Sequence, residues 1–325
     1  MSNASELFPQ QRLTRLPGGY MGKILRVDVS TGSFCEQNLP EEQVLRKLWG
    51  GQLLGEYILL HELEIGIDPY NPKSVIVGMT GPITGTGFTP GGTKLCFVYL
   101  SPATRYTLGR GATSGFLGVA LKAAGYDGLI ITGAAQRPSY LYVGEDRVEL
   151  RDARHVWGKG TRETEDILRA EVGCLDAKIG CIGPAGENLV RAAMLVNDYN
   201  HNAAHGLGGV MGSKKLKAIV AWGTRRPRVF NKEALIETGQ RWRVALTPRV
   251  YTVAKRKTSV GHGEDWGAIT RYNWRNTIIT DENSGFDQNQ VTLRPCFQCP
   301  RLCPWDVVIG EGQHMGKVGH LNAGS

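Results

Sequence analysis

Residues 74–87 read SVIVGMTGPITGTG, and three runs of the same character follow: KLCFVYLSP at 94–102, GLIITGAA at 128–135 and SYLYVGEDRVELRD at 139–152. Each is a short β-rich stretch bounded by glycine, proline or polar turn residues, the pattern of strands separated by tight turns. Upstream, GKILRVDVSTGS from Gly22 alternates apolar and polar residues as far as Thr31-Gly32, as a half-buried strand and its turn would. A helix is expected from about Glu41 to Leu60 with an interruption at Gly50-Gly51, and a helical segment near 115–124. A helix at 162–172 and strands at 178–183 and 190–196 extend the pattern. Strands outnumber helices up to about residue 223 and do not alternate strictly with them, which favours α+β over a doubly wound fold. From Asn231 onward the character is helix and loop. The expected organisation is a flexible arm at 1–20, an α+β domain at 21–224 and the start of a mainly helical domain at 225–325. The boundary falls at Thr224–Arg228, where Pro227 interrupts a basic run.

At 325 residues with 41% apolar content, the chain can fill a real core. Glycine is in excess, 43 residues where roughly 7% is usual, so backbone that turns tightly or approaches a ligand closely is expected. No apolar run reaches the ~18 residues of a membrane span, and MSNASELFPQQRLTRLPGGY lacks the order of a signal peptide; the expected location is cytoplasmic. The net charge of +8 is concentrated at residues 225–257, which hold ten Lys or Arg against Glu233 and Glu237. Such a stretch is either a solvated helix face or a docking surface for an acidic partner such as a ferredoxin. No nucleic-acid recognition motif accompanies it.

Two sets of residues carry chemistry. Pro295-Cys-Phe-Gln-Cys-Pro-Arg-Leu-Cys-Pro304 places Cys296, Cys299 and Cys303 at C-x2-C-x3-C spacing. Three thiolates on one loop can wrap a corner of an iron-sulfur cluster. A mononuclear zinc would want a second close pair, for which only His314 and His320 are near, and three reduced thiols without a ligand is the remaining alternative. A [4Fe-4S] cluster takes four ligands, so the fourth comes from elsewhere or the chain is incomplete. The second set is glycine-rich: GPITGTGFTPGGTK (81–94), GRGATSGFLG (109–118), GPAGEN (183–188) and NHNAAHGLGGVMGSKKLKAI (200–219). Turn glycines alone need no ligand, but exposed N–H groups in such turns suit phosphate and the edge of a heterocycle. None has the spacing of a P-loop or of a dinucleotide fingerprint in a βαβ unit.

The succession GKILRVDVSTG, GPITGTG, LKAAGYDGLIITG, VELRDARHVWGKGTRETE, IGPAGENLVRAAM, VMGSKKLKAI and PCFQCPRLC resembles, in order and separation, the N-terminal half of the aldehyde ferredoxin oxidoreductase family of tungsten-pterin oxidoreductases. The resemblance spans about residues 21–325. It implies a two-sheet pterin-binding domain followed by helical domains, a tungsten (or molybdenum) bis-pterin with magnesium bridging the pterin phosphates, and a [4Fe-4S] cluster. By residue matching, Lys94 stands where the family often has an arginine between pterin and cluster. Thr113, Ser114 and Gly115 fall on the second pterin segment, Asn202, Ala203, Ala204 and Gly206 on the third, and Cys296, Cys299 and Cys303 on the cluster ligands. Two departures stand out. His201-Asn-Ala-Ala-His-Gly-Leu-Gly-Gly209 replaces an arginine-containing pattern, and Gly312-Gln-His-Met-Gly-Lys-Val318 replaces an acidic stretch carrying a proposed catalytic carboxylate. No catalytic residue is assigned.

The function implied is oxidation of an aldehyde, or reduction of the acid, with electrons passed to a ferredoxin or an iron-sulfur subunit. The chain is expected to need a second chain or homo-oligomer, and to act on a small-molecule substrate. The alternatives are a truncated structural or electron-relay subunit and a tungsten subunit of the benzoyl-CoA reductase type. Anaerobically purified protein should show broad absorption near 400 nm, about where thiolate-bound clusters absorb, and iron in several-fold excess over zinc. Stoichiometric zinc without iron would overturn the cluster reading.

Overall fold

The computed structural model describes residues 16–87, 92–104, 107–255, 290–293, 295–299 and 304–322. The chain divides into two compact units, parting between Lys232 and Glu233. The first begins with a hairpin of β1 (Lys23–Asp28) and β2 (Ser33–Asn38). Its turn is closed by the Gly32 amide on the Asp28 carbonyl at 2.9 Å, with Gly32 at φ 74°. Then come α1 (Glu42–Leu48) and α2 (Gly51–Glu62), broken where the sequence predicts: Trp49, Gly50 and Gly51 all have positive φ, and a Cβ on Gly50 would sit 2.6 Å from the Thr80 carbonyl oxygen. A meander of β3 (Ile76–Thr80), β4 (Leu95–Ser101) and β5 (Thr107–Thr113) leads into α3 (Leu117–Ala123) and β6 (Gly128–Thr132).

The same series is then made a second time. A hairpin of β7 (Ser139–Val143) and β8 (Val148–Asp152) is followed by α4 (Thr161–Glu171). The meander β9 (Lys178–Cys181), β10 (Leu195–Asn197) and β11 (His201–Ala203) is interrupted only by the one-turn α5 (Pro184–Glu187), and α6 (Leu207–Ser213) and β12 (Leu216–Ala221) close the series. The sheet orders are β2-β1-β6-β3-β4-β5 and β8-β7-β12-β9-β10-β11, one topology used twice. In each sheet the last strand lies parallel to the first, β6 on β1 and β12 on β7, and every other pairing is antiparallel. The repeat was not legible as a sequence period. The two series share only small matches, such as Leu117-Gly118 against Leu207-Gly208.

Alternation along the strands assigns the faces. Leu95, Phe97 and Tyr99 of β4 and Leu141 and Val143 of β7 enter one core shared by both sheets, together with Leu117 and Leu121 of α3 and Leu207, Val210 and Met211 of α6. The outer face of the first sheet, with Val77, Met79, Val98 and Ile130, is covered by Leu54, Ile58 and Leu59 of α2. The outer face of the second, with Tyr140, Ile179 and Val220, is covered by Leu168 of α4. Glycine lets the inner helices approach: a Cβ on Gly118 would lie 3.1 Å from Leu95, and one on Gly208 2.6 Å from the Met194 carbonyl, the equivalent place in the second repeat. The two-sheet α+β expectation is met. In the first unit the β2, β5, β11 and β12 strands were not anticipated, and at β5 and β11 glycine and alanine depress strand propensity. Among the described residues, the second unit has α7 (Lys232–Lys255) and a small antiparallel sheet of β13 (Gln290–Leu293), β14 (Pro304–Val308) and β15 (Val318–Asn322). The helix matches the helical expectation, and the sheet around the cysteines is an addition to it. No helix of the described residues is long and apolar enough to cross a membrane.

A buried ion pair ties the start of the first unit together. Lys122 and Asp127, both almost fully buried, stand 3.6 Å apart. Lys122 donates to the carbonyls of Gly19 and Gly81, and the Asp127 carboxylate accepts the Met21 and Gly22 amides at 2.8 and 2.7 Å. Burial pushes Asp127 up and Lys122 down, and their mutual attraction opposes both shifts. Removing one partner strands the other, so Asp127→Ala should destabilise the fold by about 3–5 kcal/mol in urea unfolding. Loss below ~1 kcal/mol would show that the pair is not essential.

Candidate functional site

The edge strands of the two sheets, β5 and β11, meet. A Cβ added to Gly111 of β5 would lie 2.9 Å from the Ala203 Cβ and 3.0 Å from the Ala204 nitrogen. Along this seam run the small residues of both repeats: Gly111, Ala112, Thr113, Ser114 and Gly115 from one, Ala203, Ala204 and Gly206 from the other. Each series ends in a turn with a left-handed residue at the same place, Gly115 at φ 80° and His205 at φ 65°, before the inner helix begins. Carbonyls of the second turn are taken by side chains of the first repeat: Tyr99 OH donates to Ala204 O, and Ser101 Oγ to His205 O.

The first turn is held in return by the second repeat. The buried Thr113 hydroxyl donates to Asn197 Oδ1, Asn197 Nδ2 donates to Ser114 O at 3.1 Å, and the Phe116 amide donates to Asp198 Oδ2 at 2.6 Å. Asn197 Nδ2 also donates to the same Asp198 oxygen at 2.8 Å. His201 is buried beside this knot, and burial pushes its pKa below the ordinary value, helped by the Lys94 charge and opposed by Asp198. Lys94 and Asn202 are exposed at the seam, and Arg110 is exposed on β5. A floor of small residues with cations beside it is the composition that a flat, phosphate-bearing ligand calls for.

The structure therefore brings Thr113, Ser114, Gly115, Ala203 and Ala204 together, with Lys94 within electrostatic reach of His201. Gly115 and Gly206 have a packing role that the sequence left open. A Cβ on Gly115 would collide with Asp198 Oδ2 and lie 2.8 Å from both Asn197 and His201, and one on Gly206 would lie 2.5 Å from the Arg191 carbonyl. Sequence reasoning passed over Asn197 and Asp198. The run Asn197-Asp-Tyr-Asn200 was the available signal, since Asn and Asp are the residues that tolerate left-handed turns.

In the second unit, Cys296 is buried and Cys299 half-buried on the turn between β13 and β14, with the Cys299 amide donating to Cys296 O at 3.0 Å and Gln298 at φ 48°. Cys303 lies outside the described residues. The Gly312–Val318 segment that departs from the acidic pattern forms the β14–β15 hairpin turn, with Gly312 and Gly316 at φ 79° and 80°.

The first unit is thus an internally doubled α+β domain with two equivalent small-residue turns along one seam. The family model described as "Aldehyde ferredoxin oxidoreductase, N-terminal domain" matches residues 24–223, and the chain belongs to this family. It is 44% identical over 303 residues to a tungsten-containing aldehyde ferredoxin oxidoreductase of Pyrococcus horikoshii, covering 88% of this chain and 48% of that protein. It is 40% identical to the WOR-like subunit of an aliphatic sulfonate oxidoreductase of Pyrococcus furiosus, covering 92% and 51%. Among solved structures it is similar to a chain of the active-site complex BamBC of benzoyl coenzyme A reductase in complex with 1,5-dienoyl-CoA, with a TM-score of 0.81, 25% identity, and 94% and 49% coverage. The chain spans about half the length of the relatives it matches.

Gly66 stands at φ 78° with nothing within 4 Å of an added Cβ, whereas Gly115 has nearly the same φ and a full cage. Gly66→Ala should cost about 1–2 kcal/mol, the left-handed strain alone. Gly115→Ala should cost roughly 2 kcal/mol more by displacing Asp198 from the Phe116 amide. Equal unfolding midpoints for the two variants would refute the clamp.

Proposed function

We propose that this chain is the cofactor-binding part of a tungsten- or molybdenum-pterin oxidoreductase, carrying a [4Fe-4S] cluster on Cys296, Cys299 and Cys303. It would oxidise an aldehyde, or reduce the acid, with a ferredoxin-like acceptor. The observation that carries the reading is the doubling of the fold: two equivalent turns of small residues lie side by side, an arrangement suited to a ligand built of two equivalent flat halves. The naming of its relatives as tungsten-containing supports the metal. When bound, the bis-pterin metal would supply two-electron chemistry and the cluster would pass the electrons on singly. This chain's own residues have a passive share. Thr113, Ser114 and Gly115, with Ala203, Ala204 and Gly206, offer backbone to the ligand, Asn202 offers its exposed side-chain amide, and Lys94 offers a positive charge in place of an arginine. The altered Gly312–Val318 turn and the likeness to the benzoyl coenzyme A reductase chain support, as the second reading, an acyl-thioester substrate.

The exposed side chains test this better than the glycines, which the fold itself requires. Protein purified anaerobically from cells grown with tungstate and molybdate should carry about one W or Mo per chain and release pterin fluorescence on denaturation. Lys94→Ala and Asn202→Ala should lower pterin retention about tenfold, the scale of one lost charge-assisted contact, at unchanged unfolding midpoint. Iron without W, Mo or pterin would replace this reading by the electron-relay subunit.

A further inference from the structure

The turn that clamps the candidate site is itself strained and is gripped from behind. Asp198 and Tyr199, neither of them glycine, stand in succession at φ 49° and 65°. Two consecutive left-handed non-glycine residues are strained and persist only where their surroundings hold them. The surroundings are α4. The Tyr199 amide donates to Glu165 Oε1 at 3.0 Å. At the other end of the same residue, the Tyr199 hydroxyl accepts from Arg169 Nη1 at 2.8 Å and donates to Asp166 Oδ1 at 2.5 Å, while its ring lies beneath the Arg162 and Arg169 guanidinium groups. Asp198 then reaches forward to the Phe116 amide of the other repeat. One line of contacts thus runs from inside α4, through a strained turn, to the Gly115 turn.

Glu165 is fully buried, and its Oε2 has no hydrogen-bond partner; the nearest cation, Arg169 Nη2, is at 3.5 Å. The groups facing it are Arg169 and Asp166 on its own helix, Asp198 and Tyr199 from the β10–β11 turn, and the Cys181 thiol from β9. We propose that Glu165 is the positioning residue of this cross-repeat clamp, holding the Asp198–Tyr199 turn while it carries a proton, and that the turn opens with loss of that proton. The proposal rests on the reading of the seam given above only for what the turns hold.

Burial, aided by Asp198 and Asp166 and opposed by the Tyr199 amide and Arg169, raises Glu165 from its ordinary 4.5 to about 8. The sign of the pH dependence follows. With its folded pKa raised, the closed clamp holds a proton that the opened turn would release. Closure is therefore fully favoured below the ordinary carboxylate pKa, weakens as pH rises towards about 8, and is level above it. The Glu165→Gln substitution keeps an acceptor for the Tyr199 amide and removes the titration, and Glu165→Leu removes both.

The test is hydrogen exchange, followed by mass spectrometry, on the purified full chain from pH 6 to 9, expressed as protection factors so that intrinsic pH dependence is divided out. In the wild type, protection in peptides covering 113–116 and 197–201 should fall by up to about tenfold per pH unit as far as pH ~8 and then level. In Glu165→Gln it should be flat across the range, and in Glu165→Leu it should be lower at every pH. A flat wild-type profile, or a Gln variant with the wild-type slope, overturns the proposal. If the Leu variant does not fold, the wild-type and Gln comparison decides alone. Exchange is read whether or not a ligand is bound, so a chain that yields no pterin would sink the function proposed above without altering this result.

Discussion

The inner faces of two sheets share one apolar core, and the rest of the first unit depends on how closely that core can be packed. Phe97, Tyr99, Leu141 and Ile219 come from different sheets into the same cluster, with α3 and α6 between them. Each such side chain contributes about 1.5–3 kcal/mol when fully buried, which is why the pairing of sheets dominates the smaller terms around it. The inner helices fit because Gly118 and Gly208 present no Cβ to the strands they cross. A side chain at either position would push the helix off its sheet, and the seam between β5 and β11 would open with it.

Close packing leaves backbone carbonyls away from water, and lysine meets that need in three places. Lys122 serves Gly19 and Gly81, Lys214 serves Pro72 and Gly133 at 2.9 Å each, and Lys217 serves Lys159 while pairing with Glu187. Each is a long apolar stem with several donors at its tip, so a single residue can satisfy two loops at once. The cost of burial is visible at Lys214, which is pushed down to about 8, with only the Asp28 charge to oppose the shift. Loops that the sequence shows merely as glycine-rich are thereby fixed in place by residues distant along the chain.

The seam is a consequence of the duplication. In each repeat the last meander strand lies at the sheet edge, where unpaired backbone would otherwise be exposed, and here the two edges cover one another. Contacts across the seam are reciprocal: Tyr99 and Ser101 of the first repeat hold the second turn, while Asn197 and Asp198 of the second hold the first. A ligand resting there would meet a surface made by both halves, which ties occupancy of the site to the integrity of the entire unit.

The local features of this protein were determined by its sequence: the β1–β2 turn at Thr31-Gly32, the break at Gly50-Gly51, the strands at Ile76, Leu95, Gly128 and Ser139, and the cysteine spacing. Each rests on φ preference or on the alternation of apolar residues over a few positions, and these act within a turn or two of chain. Motif order also carried the family. What only the tertiary structure decided is the duplicated topology, the meeting of β5 with β11, and the grip of Glu165 and Asp198 on the Gly115 turn. These join residues tens of positions apart, through contacts whose partners leave no periodic mark on the chain. Sequence reasoning passed over Asn197, Asp198 and Glu165 alike. Their roles arise because two sheets packed on a single core bring a strained turn, a helix and the opposite repeat within hydrogen-bonding distance.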